Sequence, residues 1–386
     1  MRDAPVYLDN NATTQLAPEA LEAMLPYLRE QYGNAGSAHL LGRLAEGAVV
    51  QAREQLAGLL GCQPAELVFN SGGTEGLNHA IRGVCEAQPG KRHLITTAVE
   101  HSAVLAIAEW LKRQGVEVTL LGVDREGRLD LAELAAALRP DTALVSIMAA
   151  NNESGVLLPL AEAGALARAR GALFHVDGTQ AVGKLALNLA ELPIDLFTFS
   201  SHKFHGPKGM GALYGRRGVR LRPFMLGAGQ ERGRRGGTEN VPGIVGLGQA
   251  AALAAARLGD MARVRALRDR LEAELLARMP EIRVHGAGAE RLANTSFIGF
   301  PGIEGEALFL KLSERGVCVS TGSACSTGQR EPSHVLRAMG VEPALAMGTV
   351  RFSLSHATTE AEILRVAGMI PGLVAELRAA GPMGRR

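Results

Sequence analysis

HVDGTQAVGKL, residues 175–185, comes within one residue of a nucleotide-binding signature. Gly178, four residues, Gly183 and Lys184 spell GxxxxGK, but Leu185 stands where a phosphate loop needs a Ser or Thr hydroxyl for magnesium. What precedes the motif offers another use for it. ALFHV is a short apolar run of the kind a buried strand requires, and Asp177 closes it. In open α/β sheets ligands gather beyond the carboxyl ends of the strands, where this acid would lie. The stretch therefore reads as a strand ending in a functional acid, and the GK after it as coincidence.

The same texture extends on both sides. Between Glu66 and Tyr214 the runs ELVFN, RHLITTA, VEVTLLG, TALVSIMAA, ALFHVD, LFTFSS and GALYG alternate with helical patterns. Such alternation predicts an α/β fold with a mostly parallel sheet. Near-continuous apolar strands such as LVSIM are expected to be covered on both faces. Chemistry-bearing residues follow these runs: His101, then Asn151 and Asn152, then Asp177, then His202 and Lys203. Four polar strand ends in succession point to one site at one sheet edge. After about residue 258 the pattern changes. MARVRALRDRLEAELLARM places Val264, Leu267, Leu271 and Leu275 on one helical face, and strand-like NTSFIGF and VCVST follow with further helices, a smaller α+β unit.

Composition narrows the function classes. The 386 residues are 47% hydrophobic and 21% charged, with a formal net charge of +2. No dense basic run occurs, so nucleic acid is not an expected partner, and Arg232, Arg234 and Arg235 read as local anion partners or surface. MRDAPVYLDNNATT lacks the apolar core of a secretory signal. GIVGLGQAAALAAARLG, interrupted by Gln249 and glycines, reads as a buried helix, and no membrane association is expected. Cysteines 62, 85, 318 and 325 form no CxxC pair, which argues against zinc or disulfides and for a reduced cytoplasmic setting.

Lys203 sits in SSHKFHGPKG, where burial would favour a neutral, nucleophilic amine able to form a Schiff base. A lone lysine is more often plain surface, but Asp177 lies one strand earlier. Pyridoxal 5'-phosphate (PLP) enzymes pair such a lysine with an acid that keeps the pyridine nitrogen protonated. FNSGGTEGLNHA offers a phosphate cradle at a helix start, with Gly73 and Thr74, to which Ser200 and His202 can add contacts. His101 can stack on a ring or move protons, though a satisfied core histidine is the plainer reading. Gln180 and Asn152 can hydrogen-bond cofactor or substrate, or merely cap loops. Cys325 lies in STGSACSTGQ among small polar residues that cannot pack a core, which suits an exposed nucleophile, whereas Cys318 between two valines reads as buried. Arg351 in TVRFSLS can grip a carboxylate bidentately or form a structural ion pair.

With these residues in view, the chain closely resembles the cysteine desulfurases of the NifS/IscS type, within the class V aminotransferases of PLP fold type I. The resemblance rests on VYLDNNATT, SGGTE, EHSAV, NNESG, HVDGTQAVGK, SSHKFHGPKG, GQERGRRGGTEN, STGSAC, EPSHVLRAMG and VRFSLS, in the family's order over nearly the whole chain. It implies a large PLP-binding domain at 16–257 with a seven-stranded sheet. Residues 1–15 and 258–386 would form the small domain carrying the cysteine loop. It further implies that Lys203 is the Schiff-base lysine, that Asp177 meets the pyridine nitrogen and Gln180 the ring hydroxyl, and that His101 stacks on the ring. Gly73, Thr74, Ser200 and His202 would bind the phosphate, and Thr238 would reach the phosphate of a neighbouring subunit in an obligate homodimer. Arg351 and Asn152 would hold L-cysteine, and Cys325 would take its sulfur for delivery to an iron–sulfur scaffold or a tRNA-thiolation carrier. Two departures stand out: NAGSAH at 34–39 replaces a more usual Asn-Pro start, and Gly178 is often Ala in relatives. Rival readings are a transaminase or amino-acid lyase, a selenocysteine lyase, a nucleotide switch built on GTQAVGK, and a noncatalytic scaffold.

Overall fold

Alternation along each central strand sends successive side chains to opposite faces, so an uninterrupted apolar run needs cover on both. The computed structural model, which describes residues 5–321 and 332–380, provides that cover. After a short β1 (Val6–Tyr7) come β2 (Leu67–Asn70), β3 (His93–Thr97), β4 (Glu117–Leu121), β5 (Thr142–Met148), β6 (Leu173–Asp177), β7 (Leu196–Ser200) and β8 (Gly211–Gly215). Strands β2 to β8 form a seven-stranded sheet in the order β2-β8-β7-β6-β5-β3-β4. Only β8 runs against its neighbours, β2 and β7; every other pairing is parallel. All seven predicted strands are present.

Residue parity assigns the two faces. Ile95, Val145, Ile147, Phe174, Val176, Phe197 and Phe199 pack into one core with helices Leu40–Leu60 and Val241–Arg257. Their sequence neighbours Leu94, Leu144 and Leu196 pack oppositely with helices Gly73–Ala87 and Ser102–Arg113. Val241–Arg257 opens a longer helical run, Val241–Arg278, that is long and apolar enough to cross a membrane. Here Ile244, Leu247, Ala250 and Ala251 are buried, the packing of a core helix.

A second core gathers the rest. Strands β9 (Arg283–Val284), β10 (Thr295–Gly299) and β12 (Thr349–Ser353) form an antiparallel sheet, while β11 (Val317–Cys318) pairs in parallel with β1. Val264, Leu267, Leu271 and Leu275 are buried on helix Met261–Arg278, as their spacing predicts, and Val6 and Leu8 share their cluster. Cys318 departs from its expected burial. Because β11 is only two residues long and turns Val317 inward, Cys318 is left half-buried.

Candidate active site

The parallel strands all deliver their carboxyl ends to one edge, and the polypeptide there lines a cavity of about 310 Å³. Its wall includes Gly73, Thr74, His101, Asn152, Asp177, Gln180, Ser200, His202, Lys203 and Arg351, which the sequence had singled out. Asn11, Ala12, Thr179 and Ser320 complete much of the remainder, and sequence reasoning had passed over them. Two expected residues stand apart. Thr238 is exposed and borders a separate cavity with Phe69, Arg235 and Asn240. Cys325 lies outside the described residues.

Lys203 is carried by the short helical turn that follows β7, and its Nζ donates to the carbonyls of Asn11 (2.6 Å) and Ala12 (2.8 Å). Asp177 is 5% exposed at the end of β6, and its Oδ1 accepts the Thr179 N–H at 2.9 Å, which fixes the carboxylate at the cavity wall. Gly72 and Gly73 begin the helix after β2, with Gly72 at a φ of 140°, a conformation that favours glycine. A Cβ on Gly73 would lie 3.1 Å from Ser200 Oγ and 3.2 Å from Thr179 Oγ1. The missing side chain thus keeps open a hydroxyl-lined cradle at a helix N-terminus. Ser200 Oγ accepts the Gly73 N–H at 2.6 Å. An amine, a carboxylate and an anion cradle with an aromatic wall are the donor set PLP requires, so the residues fit that group.

His101 caps helix Ser102–Arg113: its Nδ1 accepts the Ala103 N–H at 3.2 Å, so the neutral ring carries its proton on Nε2. Burial holds this histidine below its ordinary pKa; Asp177 opposes the shift, and Lys203 and His334 add to it. Burial, with Lys203 and Lys208, lowers His202 to about 4, and its Nδ1 pairs with Thr13 Oγ1 at 3.1 Å. On the far wall Arg351 is 4% exposed; Nη2 meets Asp9 Oδ1 at 2.8 Å and Nη1 donates to the Asn152 carbonyl at 2.8 Å. Its buried Nε has no partner among the described residues. Asp9 had not been identified from the sequence, and burial holds its carboxyl above the ordinary value against the pull of Arg351.

Two buried acids brace the site. Glu100 Oε1 accepts from Thr97 Oγ1 and from the Met148 N–H, both at 2.9 Å, tying the end of β3 to the end of β5. Burial pushes this carboxyl up to about 8, opposed by the Met148 N–H and reinforced by the charge of Asp177. Glu153, raised by burial to about 7, accepts from Ser333 Oγ, which caps helix His334–Ala338. The arginines of GQERGRRGG serve locally: Arg235 pairs with Glu75 at 2.8 Å, and Arg232 and Arg234 donate to the Ala65 carbonyl.

A sheet of this topology, with a lysine after one strand and an aspartate at the end of the neighbouring one lining one cavity, defines a class of protein. Residues 6–366 match the family Aminotransferase class-V, and the chain belongs to that family. Among curated relatives it is 55% identical over 377 residues to Cysteine desulfurase 2 of Trichormus variabilis, covering 98% of this chain and 95% of that one. It is 52% identical to a cysteine desulfurase of Cereibacter sphaeroides, covering 98% of each. Among solved structures, a NifS-like protein superposes with a TM-score of 0.91 at 40% identity, covering 97% of this chain and all of that one. SspA in complex with cysteine gives 0.81 at 34% identity, covering 92% of this chain and 100% of that chain.

Proposed function

We propose that the chain is a PLP-dependent cysteine desulfurase, converting L-cysteine to L-alanine and passing the sulfur to Cys325 as a persulfide. The observation that carries this reading is the convergence of Lys203 and Asp177 on one cavity with a glycine cradle and a buried arginine. The cysteine desulfurase names of relatives at 52–55% identity over nearly the full chain support it. When bound, PLP supplies an electron sink for charge developing at the substrate Cα.

The protein's own residues do the rest. Gly73, Thr74, Ser200 and His202 would hold the phosphate, because backbone N–H groups and the helix dipole favour an anion there. Asp177 would keep a proton on the ring nitrogen, Gln180 would donate to the ring oxygen, and His101 would pack against the ring. Arg351 and Asn152 hold the substrate carboxylate and so aim the Cα–H bond. Lys203 Nζ removes that proton, and His101 Nε2 returns one to the leaving species. The Cys325 thiolate attacks the substrate sulfur. As the S–S bond forms, the S–Cβ bond breaks with its electron pair on the carbon side, which is protonated on the way to alanine.

The same reading divides the chain into a domain of residues 16–257 and another of 1–15 with 258–386. It makes the active form a cytoplasmic homodimer in which Thr238 serves the neighbouring cavity. Leu28, Tyr32, Leu40 and Leu44, exposed in the first two helices and between them, offer apolar surface for that contact. The persulfide would then be delivered to an acceptor protein, an iron–sulfur scaffold or a tRNA-thiolation carrier. Mass spectrometry after treatment with L-cysteine tests the reading: one sulfur atom should be added to the peptide holding Cys325, with alanine released. Undiminished turnover in Cys325→Ser would sink the assignment of the nucleophile.

A further inference from the structure

The lysine of the near-miss GxxxxGK motif has an occupation of its own. The segment after Asp177 turns back on itself through Ala181 N–H to Gly178 O (2.8 Å) and Lys184 N–H to Ala181 O (3.0 Å). This brings Lys184 back against Gln180, four residues earlier, behind the wall that Gln180 and Asn11 give the cavity. Lys184 Nζ donates to Gln180 Oε1 at 2.6 Å and to Asn11 Oδ1 at 3.3 Å. Both neighbours are oxygens, so both contacts are donations whether the amine is charged or neutral.

These contacts constrain two carboxamides whose ends are otherwise nearly interchangeable. With its oxygen committed to Lys184, Gln180 turns Nε2 to the Asn11 carbonyl at 3.0 Å, and one N–H of that amide remains. Asn11 Oδ1 also accepts from Asn294 Nδ2 at 3.0 Å, which directs Asn11 Nδ2 to Thr295 Oγ1 (2.9 Å) and the Asn152 carbonyl (3.2 Å). The Asn11 carbonyl in turn accepts Lys203 Nζ. One amine therefore sets a network that touches Lys203, Gln180 and the Asn152 loop together.

We infer that Lys184 is a positioning residue: it fixes the Gln180 carboxamide so that an N–H, and not the carbonyl oxygen, is presented to an acceptor in the cavity. This rests on the cofactor reading above, in which that acceptor is the ring oxygen of PLP. An N–H donated there favours the deprotonated oxygen and lowers the pH at which the chromophore changes colour. Losing Lys184 orphans Gln180 Oε1, and the amide swings to find another donor.

The test is the visible absorbance of PLP-loaded protein titrated with pH. In Lys184→Met the midpoint should rise by about one pH unit, the size of one hydrogen bond to a charged group. Lys184→Arg, which still donates, should stay near the wild type. Lys184→Ala serves if the methionine variant does not accumulate. In a Gln180→Leu background the loss of Lys184 should add nothing. An unchanged midpoint in Lys184→Met, or an equal shift in the Gln180→Leu background, overturns the assignment; the second result would make Lys184 a bare charge. A wild type that binds PLP without any visible band fails differently, by removing the Schiff-base reading beneath it.

Discussion

Arg351 in the cavity wall and Asp9, 342 positions earlier, form an ion pair at 2.8 Å, their side chains 5% and 21% exposed. Sequence left two uses open for Arg351, an ion pair or a carboxylate grip, and the ion pair is present. The two are compatible, because a guanidinium offers five N–H donors and Asp9 with the Asn152 carbonyl engages two. Asp9 and Asn152 hold the fork, and the buried Nε has no partner among the described residues.

From this follows a prediction on substrate affinity. Arg351→Lys replaces a planar fork by a point charge that cannot serve Asp9, Asn152 and a substrate carboxylate at once. KM for L-cysteine should rise by roughly 10- to 100-fold, the loss of one or two charged hydrogen bonds, with kcat changed less. Asp9→Asn should raise KM by a smaller factor. Steady-state kinetics at saturating cofactor measures both, and an unchanged KM in Arg351→Lys would reject the grip.

The buried acids predict how stability depends on pH. Glu100 rises from 4.5 to about 8 on folding and Glu153 to about 7. Acids raised in this way stabilise fully below 4.5, and that contribution is lost as pH climbs through 7 and 8. Buried histidines act oppositely: His175, lowered to about 3, and His285, lowered to about 4, cost stability as pH falls below 6.5. Glu100→Gln keeps an acceptor for Thr97 and Met148 but cannot ionise. Its stability should match the wild type near pH 5 and exceed it near pH 9 by a few kcal/mol, because the folded chain must either hold the proton or bury the charge. Denaturant unfolding at both pH values decides, since a pH-independent difference would mean Glu100 does not titrate there.

A third prediction concerns the link from Glu153 to Ser333. Ser333 Oγ donates to Glu153 and also accepts the Val335 N–H at 3.1 Å, capping a five-residue helix. Ser333→Ala removes the cap and orphans a buried carboxyl, so stability should fall by about 1–3 kcal/mol. Glu153→Ala in the Ser333→Ala background should cost less than it does alone. Full additivity in a double-mutant cycle would show that the two do not communicate.

What could be read beforehand, and what could not, has a physical basis. The seven strands announced themselves because burial on both faces forces apolar runs such as LVSIM, and the parallel topology then places their ends together. His101, Asp177 and Lys203 were legible for that reason. Asp9, Glu153 and Asn11 were not, since their partners Arg351, Ser333 and Thr295 lie 342, 180 and 284 residues away and no periodicity records such pairs. Lys184 was visible, and its match to a phosphate-loop motif read as coincidence, but its contact with Gln180 was not legible. Its meaning depends on a turn that folds it back on Gln180, which spacing alone does not reveal. Cys318 misled because flanking valines signal burial only when the strand is long enough to bury both faces.

The last prediction comes from Gly178, which directly follows Asp177 at the end of β6. A Cβ at Gly178 would lie 1.8 Å from Phe197 Cζ and 2.3 Å from its Cε1. Phe197 is wholly buried and packed 6.3 Å, centroid to centroid, from Phe199, so its ring has nowhere to retreat. Here the phenylalanine on β7 has taken the volume that an alanine side chain would fill after β6. Gly178→Ala should therefore destabilise by about 1–3 kcal/mol, the usual cost of overpacking, and displace the adjoining Asp177 enough to weaken PLP binding. Phe197→Leu alone opens a cavity and should also destabilise, by a comparable amount. Combined, each change relieves the other, and the double variant should be more stable than either single one. Thermal unfolding of the four proteins gives the coupling. If Gly178→Ala is as stable as the wild type, or if the two costs simply add, the contact between β6 and β7 does not dictate the glycine.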